Sequence, residues 1–229
     1  MKYDHRYEIK FVLNEREMSH ALAWLNMIGV KKSYANRVIN SLYFDNVAQK
    51  SVRDNLSGIS NRNKVRLRWY GNSLSEDCKL SLEIKLREGR LGSKIIFPLS
   101  LTAEIFKKKN LYELYSEIFK KLPKSDFAHN SINDYLVPMI LVKYYREYYE
   151  FSKAIRITID KKISFYNAMQ NTKIDSLKPM RYNSFVMEIK FPKELKYNVS
   201  NLLKPLLLSQ KRHSKYMIGL SMLGYTKYI

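Results

Sequence analysis

The sequence predicts an α+β protein: an antiparallel sheet of about eight strands flanked by a few helices. Three observations predict it. Segments with a two-residue alternation of apolar and charged side chains recur along the chain. The links between them are mostly short, which antiparallel neighbours allow and parallel ones do not. Helical spacing is confined to a few stretches between and after them. A length of 229 residues suits one large domain spanning 1–229, or at most two small ones, and no low-complexity linker divides it. Hydrophobic residues at 45%, with 13% aromatic, provide for a sizeable core.

Residues 5–13 alternate and read as the first strand. Residues 14–28 read as a helix: Asn14 and Glu17 form a capping pair, and Met18, Ala21, Leu22, Leu25 and Ile28 recur at helical spacing. Strands follow at 37–45, 62–70, 80–87 and 93–99, the last two paired across Glu88, Gly89, Arg90 and Gly92. Residues 102–121 read as a helix with Ile105, Leu111, Leu114, Ile118 and Phe119 on its apolar side and Lys107, Lys108 and Lys109 on a solvated one. Residues 139–151 and 153–160 are β-rich neighbours, with Asp45 and Asp160 read as strand ends that cap turns. Another strand covers 184–191. Residues 194–208 and 214–223 are closing helices, the second capped by Ser214.

Composition excludes several classes. A single cysteine, Cys78, rules out an internal disulfide and a Cys-based zinc site, and four scattered His argue against a His cage. No apolar run approaches the ~20 residues that cross a bilayer, and the charged start MKYDHRYEIKF is unlike a signal peptide. The expectation is a cytoplasmic protein. Its formal charge of +20 points to an anionic partner.

The polar face of the alternation is unusual, because it carries full charges two residues apart. It offers Arg6, Glu8 and Lys10; Arg62, Lys64, Arg66 and Arg68; Glu83 and Lys85; Lys94; Arg146; Arg156; Glu188 and Lys190. Opposite them stand Tyr7, Ile9 and Phe11; Val65, Leu67 and Trp69; Leu82, Ile84 and Leu86; Val186, Ile189 and Phe191. For one strand this is an ordinary wet face. Repeated, it suggests a sheet closed into a barrel with helices outside and cations within. Such cations repel one another unless a dense anion lies between them. Arg grips phosphate oxygens in pairs and Lys serves as a point charge. A few carboxylates in that setting suit a hard divalent cation that bridges phosphates.

The segments RYEIKF at 6–11, SLYFD at 41–45, RNKVRLRWY at 62–70, LEIK at 82–85, KYYR at 143–146, RITID at 156–160, VMEIK at 186–190 and RHSKY at 212–216 resemble, in order, those of the VTC-domain polyphosphate polymerases. These are triphosphate tunnel metalloenzymes of the CYTH-like superfamily. The resemblance implies an eight-stranded antiparallel β-barrel enclosing a triphosphate tunnel. It implies transfer of the ATP γ-phosphate to a growing polyphosphate chain, or to pyrophosphate, with Mn²⁺ or Mg²⁺. By the same resemblance, Lys10, Arg66, Arg68, Lys85, Arg146, Arg156, Lys190 and Lys215 are the catalytic set. Lys94, Tyr144 and Arg212 bind substrate and Glu188 holds the metal; Lys64 joins the substrate set and Glu8 the metal set from the same charged face, where either glutamate could instead pair with a tunnel cation. Arg212 and His213 stand where the family often has Lys and Phe. Arg6 stands where the wider superfamily often has Glu, which removes a metal carboxylate and leans away from hydrolysis. The eukaryotic relatives carry an SPX domain and membrane helices that are not read in these residues, so coupled translocation would need a membrane-protein partner. Two rivals remain at this point: a triphosphate or organic-phosphate hydrolase of the same superfamily, and a non-catalytic polyphosphate- or nucleic-acid-binding module. Specific nucleic-acid recognition is not expected, since the alternation places Trp69 on the apolar side.

Overall fold

A computed structural model describes residues 6–72, 79–88, 91–99, 105, 108–120, 135–152 and 154–227. Cys78, Lys107, Gly89, Arg90 and most of 102–110 lie outside the described residues. In chain order the elements are β1 (Arg6–Leu13), α1 (Glu15–Met27), β2 (Lys31–Asn46), α2 (Lys50–Leu56), β3 (Arg62–Tyr70), β4 (Leu80–Glu88), β5 (Leu91–Leu99), α3 (Leu111–Lys120), β6 (Leu136–Phe151), β7 (Ile155–Asn167), β8 (Pro179–Tyr182), β9 (Phe185–Pro192), α4 (Lys196–Leu203) and α5 (Lys215–Met222).

Every strand pairing is antiparallel, and the order is β1-β9-β7-β6-β2-β3-β4-β5, with short β8 added beside β7. The eight strands of the main path curl into a half-barrel. Among the described residues no ladder joins the end strands β1 and β5. The curl brings distant strands face to face: Glu8 and Lys10 on β1 feel the charge of Lys85 on β4.

Alternation sorts each strand into a convex and a concave side. On the convex side Leu42, Phe44, Val65, Leu67, Trp69, Leu82 and Ile84 pack under Leu111, Leu114 and Ile118 of α3. A second convex cluster joins Phe11, Leu13, Ile157, Ile159, Met187, Ile189 and Phe191 to Met18, Ala21, Trp24 and Leu25 of α1 and Val199 of α4. Each such side chain stabilises the fold by about 1.5–3 kcal/mol on burial. The capping box at Asn14 and Glu17 fixes the start of α1, with both reciprocal bonds at 2.9 Å.

The third cluster lies on the concave side. Ile39, Tyr43, Ile140, Val142, Tyr144, Ile163, Phe165 and Val186 receive Tyr216, Met217 and Leu220 of α5. One part of the concavity is therefore filled by a helix, and the remainder is ionic. Strand β7 serves both parts because it changes phase. Residues 156, 158 and 160 face inward before a bulge, and Ile163 and Phe165 face inward after it, the extra residue being Lys162 at φ 51°.

Several elements differ from expectation. β2 begins at Lys31 rather than 37, and α2 and β8 have too little periodicity to be read from sequence. The helix expected over 194–208 is broken into 3-10, α and 3-10 segments, with Leu207 left-handed at φ 51° after Pro205. The 102–121 helix is described as an α-helix only over Leu111–Lys120. Val186 shares the concave side with Glu188, as the two-residue period demands, and not the convex side. Asp160 lies in mid-strand.

Gly219 lets α5 approach the sheet, because a Cβ there would overlap Ile140 Cδ1 and Phe165 Cδ1. Gly219→Ala is therefore expected to destabilise the protein by about 1–3 kcal/mol through overpacking. A lowered urea midpoint would register it, and an unchanged midpoint would show that the helix can shift outward without cost.

Candidate active site

Three carboxylate-centred clusters occupy the ionic part of the concave face. The first is built on Glu83, which stands directly across from Arg66. Arg66 Nε lies 2.7 Å and Nη2 2.6 Å from Oε2, Lys94 Nζ bonds Oε1, and Arg68 Nη1 is 3.6 Å away. Burial alone would raise this carboxyl, but Arg66, Arg68 and Lys94 outweigh it and bring Glu83 down to about 2. Arg66 also donates to Tyr43 Oη at 3.2 Å. Arg68 donates to Ser41 Oγ at 3.2 Å and Tyr144 Oη at 3.4 Å.

The second is built on Asp160, which is completely buried. Arg146 grips it with both arms, Nη2 to Oδ2 at 2.8 Å, and Lys215 at the start of α5 reaches the same Oδ2. Tyr144 lies between the two cations, its ring centroid 4.8 Å from Lys215 Nζ and 5.2 Å from Arg146 Cζ. The burial penalty on Asp160 is overcome by these partners, so it stays ionised below the usual range, and Arg146 is held well above its own.

The third is a quartet. Glu8 and Glu188 come together through the β1–β9 register, in which Glu8 faces Lys190 and Lys10 faces Glu188. Lys10 Nζ lies 2.7 Å from Glu8 and 3.7 Å from Glu188. Lys190 Nζ lies 3.1 Å from Glu8 and 2.8 Å from Glu188. Burial and the mutual repulsion of the two carboxylates raise Glu8, but the lysines prevail and bring it to about 2. Glu188 likewise falls well below its usual range against the burial penalty, through Lys190 and Lys10.

Beyond the carboxylates stand rungs of like charge. Lys64 faces Lys85, Lys85 faces Lys94, and Arg62 faces Arg87. Like charges directly opposite destabilise a sheet. Lys64 Nζ finds a hydroxyl, Ser214 Oγ at 3.1 Å, in place of a carboxylate. That hydroxyl makes no bond to the start of α5, so Ser214 holds the N-cap position without the side-chain cap expected of it. Burial, with Lys85 and Lys10 nearby, pushes Lys64 down to about 7.

The sequence-selected residues thus largely converge. Lys10, Lys64, Arg66, Arg68, Lys85, Lys94, Tyr144, Arg146, Lys190, Lys215, Glu8 and Glu188 all stand in this concavity. Arg156, exposed and across from Lys190, lies at its mouth and lines a cavity of about 180 Å³ with Arg146, Glu188 and Lys190. Arg212 is exposed and stands near Arg62, apart from the three clusters. Sequence reasoning missed Asp160, although it continues the two-residue period of Arg156 and Thr158, which was the available signal. It also missed Tyr43, Ser41 and Thr158, whose hydroxyls carry no distinguishing pattern. His213 is neutral: burial, then Lys215 and Lys10, lower it to about 3.

Among the described residues no group of three or more His, Cys, Asp or Glu gathers as for a protein-only metal cage. Glu8 and Glu188 nevertheless fit a hard divalent cation that keeps water and phosphate oxygens as its other ligands. Both are ionised and adjacent. Thr158 Oγ1, across from Glu188, is buried with no hydrogen-bond partner.

A half-barrel that turns a cation-rich face inward and its apolar face toward helices is the architecture of triphosphate-tunnel proteins. The VTC domain family model matches residues 5–224, and the chain belongs to that family. HpAC1 from Hippeastrum, a candidate adenylyl cyclase with a dominant triphosphatase activity, is similar in fold at 16% identity and TM-score 0.56, over 94% of this chain and 95% of that one. The PH1819 protein from Pyrococcus horikoshii is similar at 13% identity and TM-score 0.53, over 95% and 99%. A candidate adenylate cyclase from Vibrio parahaemolyticus is similar at 11% and 0.51, over 96% and 99%. No curated protein matches the chain significantly.

Asp160→Asn leaves Arg146 and Lys215 facing a neutral group, and the expected loss is about 3–5 kcal/mol of stability, read by urea unfolding. Lys64 gives a pH signature. Its folded value lies below the unfolded 10.5, so the unfolded chain holds more protons between about 7 and 10.5. The penalty is full below 7 and is relieved as pH rises through that window. Wild type should therefore gain on Lys64→Met between pH 7 and 10, and a constant difference would contradict a stressed ammonium.

Proposed function

We propose that the protein is a polyphosphate polymerase, moving the γ-phosphate of ATP onto the end of a polyphosphate or pyrophosphate acceptor with Mn²⁺ or Mg²⁺. The observation that carries this reading is the set of like-charged rungs, Lys64–Lys85–Lys94 beside Arg66 and Arg68, on the inner face of a VTC-family fold. A linear polyanion relieves that repulsion along its whole length.

The residues divide the work by position. Arg66, Arg68 and Arg146, with Arg156 at the mouth, hold the donor triphosphate, and their protein carboxylates keep them aimed before it arrives. Lys10, Lys85, Lys190 and Lys215 hold the acceptor in line with the γ-phosphorus. Lys64, Lys94, Tyr144 and Arg212 extend the phosphate path. Glu188, with Glu8, would hold the divalent cation, which would supply neutralisation of the phosphate charge. The bond between the γ-phosphorus and the β–γ bridging oxygen breaks. A bond from a terminal acceptor oxygen to that phosphorus forms, and ADP leaves with the bonding electrons. No protein nucleophile is needed. A cytoplasmic supply of ATP and a membrane-protein partner receiving the chain fit this reading. Among the described residues no helix is long and apolar enough to cross a membrane.

Hydrolysis is the second reading, favoured by the triphosphatase activity of HpAC1, which has a similar fold. Incubation with ATP and Mn²⁺ distinguishes them: a ladder of long chains on a gel is the expected outcome, and orthophosphate alone would assign the hydrolase. Glu188→Gln should abolish metal-dependent turnover while the protein still folds. Retained turnover would remove Glu188 from the site.

A further inference from the structure

The cavity at the mouth has a wall that the phosphate chemistry does not use. The register sets one row across four strands: Tyr34 on β2 faces Tyr148 on β6, Tyr148 faces Thr158 on β7, and Thr158 faces Glu188 on β9. Tyr34, Tyr148, Thr158 and Glu188 all line the cavity, together with Arg146 and Lys190. An ionic half and an aromatic half thus share one space.

The aromatic half is built, not incidental. Register shifts on both sides of Tyr34 interrupt the β2–β6 ladder, and such irregularities re-aim side chains. The Tyr34 and Tyr148 rings stand 5.8 Å apart at 79°, making a floor and a wall. Arg37 braces Tyr148 from the side, its Cζ 5.2 Å from that ring and 5.1 Å from Tyr70. Tyr34 is 55% exposed, so its ring is open to a ligand in the cavity. Thr158 Oγ1 is buried beside them with no partner. Unpaired buried hydroxyls are rare, and this one stands between the rings and Glu188.

We propose that this cavity is the nucleoside subsite of the donor: the base stacks on Tyr34 and Tyr148, Thr158 takes a polar group of the sugar, and the triphosphate continues to Arg156 and Arg146. The proposal rests on the nucleotide-donor reading above and adds the part that separates a nucleoside triphosphate from inorganic tripolyphosphate. Its described lining contains no Asn or Gln side chain to read a base edge. Stacking accepts any base with a flat face, so purines should exceed pyrimidines by ring area, with little choice between ATP and GTP.

The test is calorimetric titration of the whole protein with ATP and, separately, with inorganic tripolyphosphate. Wild type should bind both. Tyr34→Ala should weaken ATP about tenfold and leave tripolyphosphate unchanged, and Tyr34→Phe should restore ATP affinity. Thr158→Val should weaken ATP in the same selective way. An ATP affinity indifferent to Tyr34→Ala, or an equal loss for both ligands, would overturn the subsite while the phosphate site stands. Wild type that binds neither ligand would overturn the phosphate-transfer reading, and this proposal with it.

Discussion

Positive charge is packed on the inner face of a curled sheet, and buried carboxylates make that packing tolerable. Glu83 collects Arg66, Arg68 and Lys94. Asp160 collects Arg146 and Lys215. Glu8 and Glu188 share Lys10 and Lys190. Without those anions the cations would repel one another in a poorly solvated space. Without the cations the carboxylates would be too costly to bury ionised. Each cluster also fixes side-chain directions, so the arginines are aimed before any ligand arrives. A phosphate entering the concavity then exchanges partners with groups already in place, which limits the ordering cost of binding.

The neutralisation is incomplete in one region, and that gives the face its chemistry. Where Lys64 and Lys85 face each other, the sheet sets like charges directly opposite, and Lys94 beyond them is held by Glu83. Lys64 shows it most clearly, lacking a carboxylate and relying on Ser214. Helix α5 is part of the same arrangement. It fills the apolar portion of the concavity, brings Lys215 to Asp160 and Tyr216 to Asp45 at 2.9 Å, and presents Ser214 to Lys64. Gly219 makes that close approach possible.

Much of the fold was legible because the period of two is strict. The strands at 62–70, 80–87 and 184–191, and the capped helix after Asn14, lie within a residue or two of where the pattern places them. The pattern was less legible where geometry departs from it. The bulge at Lys162 reverses the phase of β7, so Asp160 and Phe165 face the same side despite opposite parity. The early part of β2 interrupts its ladder twice, which hides Lys31–Asn36 from an alternation count. Pro205 and the left-handed Leu207 break a stretch whose apolar spacing looks continuously helical.

By itself the sequence determined which residue types lie on each face of each strand, because side chains alternate wherever a strand is regular. That was enough to collect the cations and glutamates of the inner face and to recognise their family pattern. Only the tertiary structure decided which charges meet. Pairing depends on register between strands distant in the chain, on curvature that brings β1 toward β4, and on where α5 enters. That is why Asp160 became the anchor of Arg146 and Lys215, why Arg212 stands apart beside Arg62, and why Tyr34, Tyr148, Thr158 and Glu188 form one row.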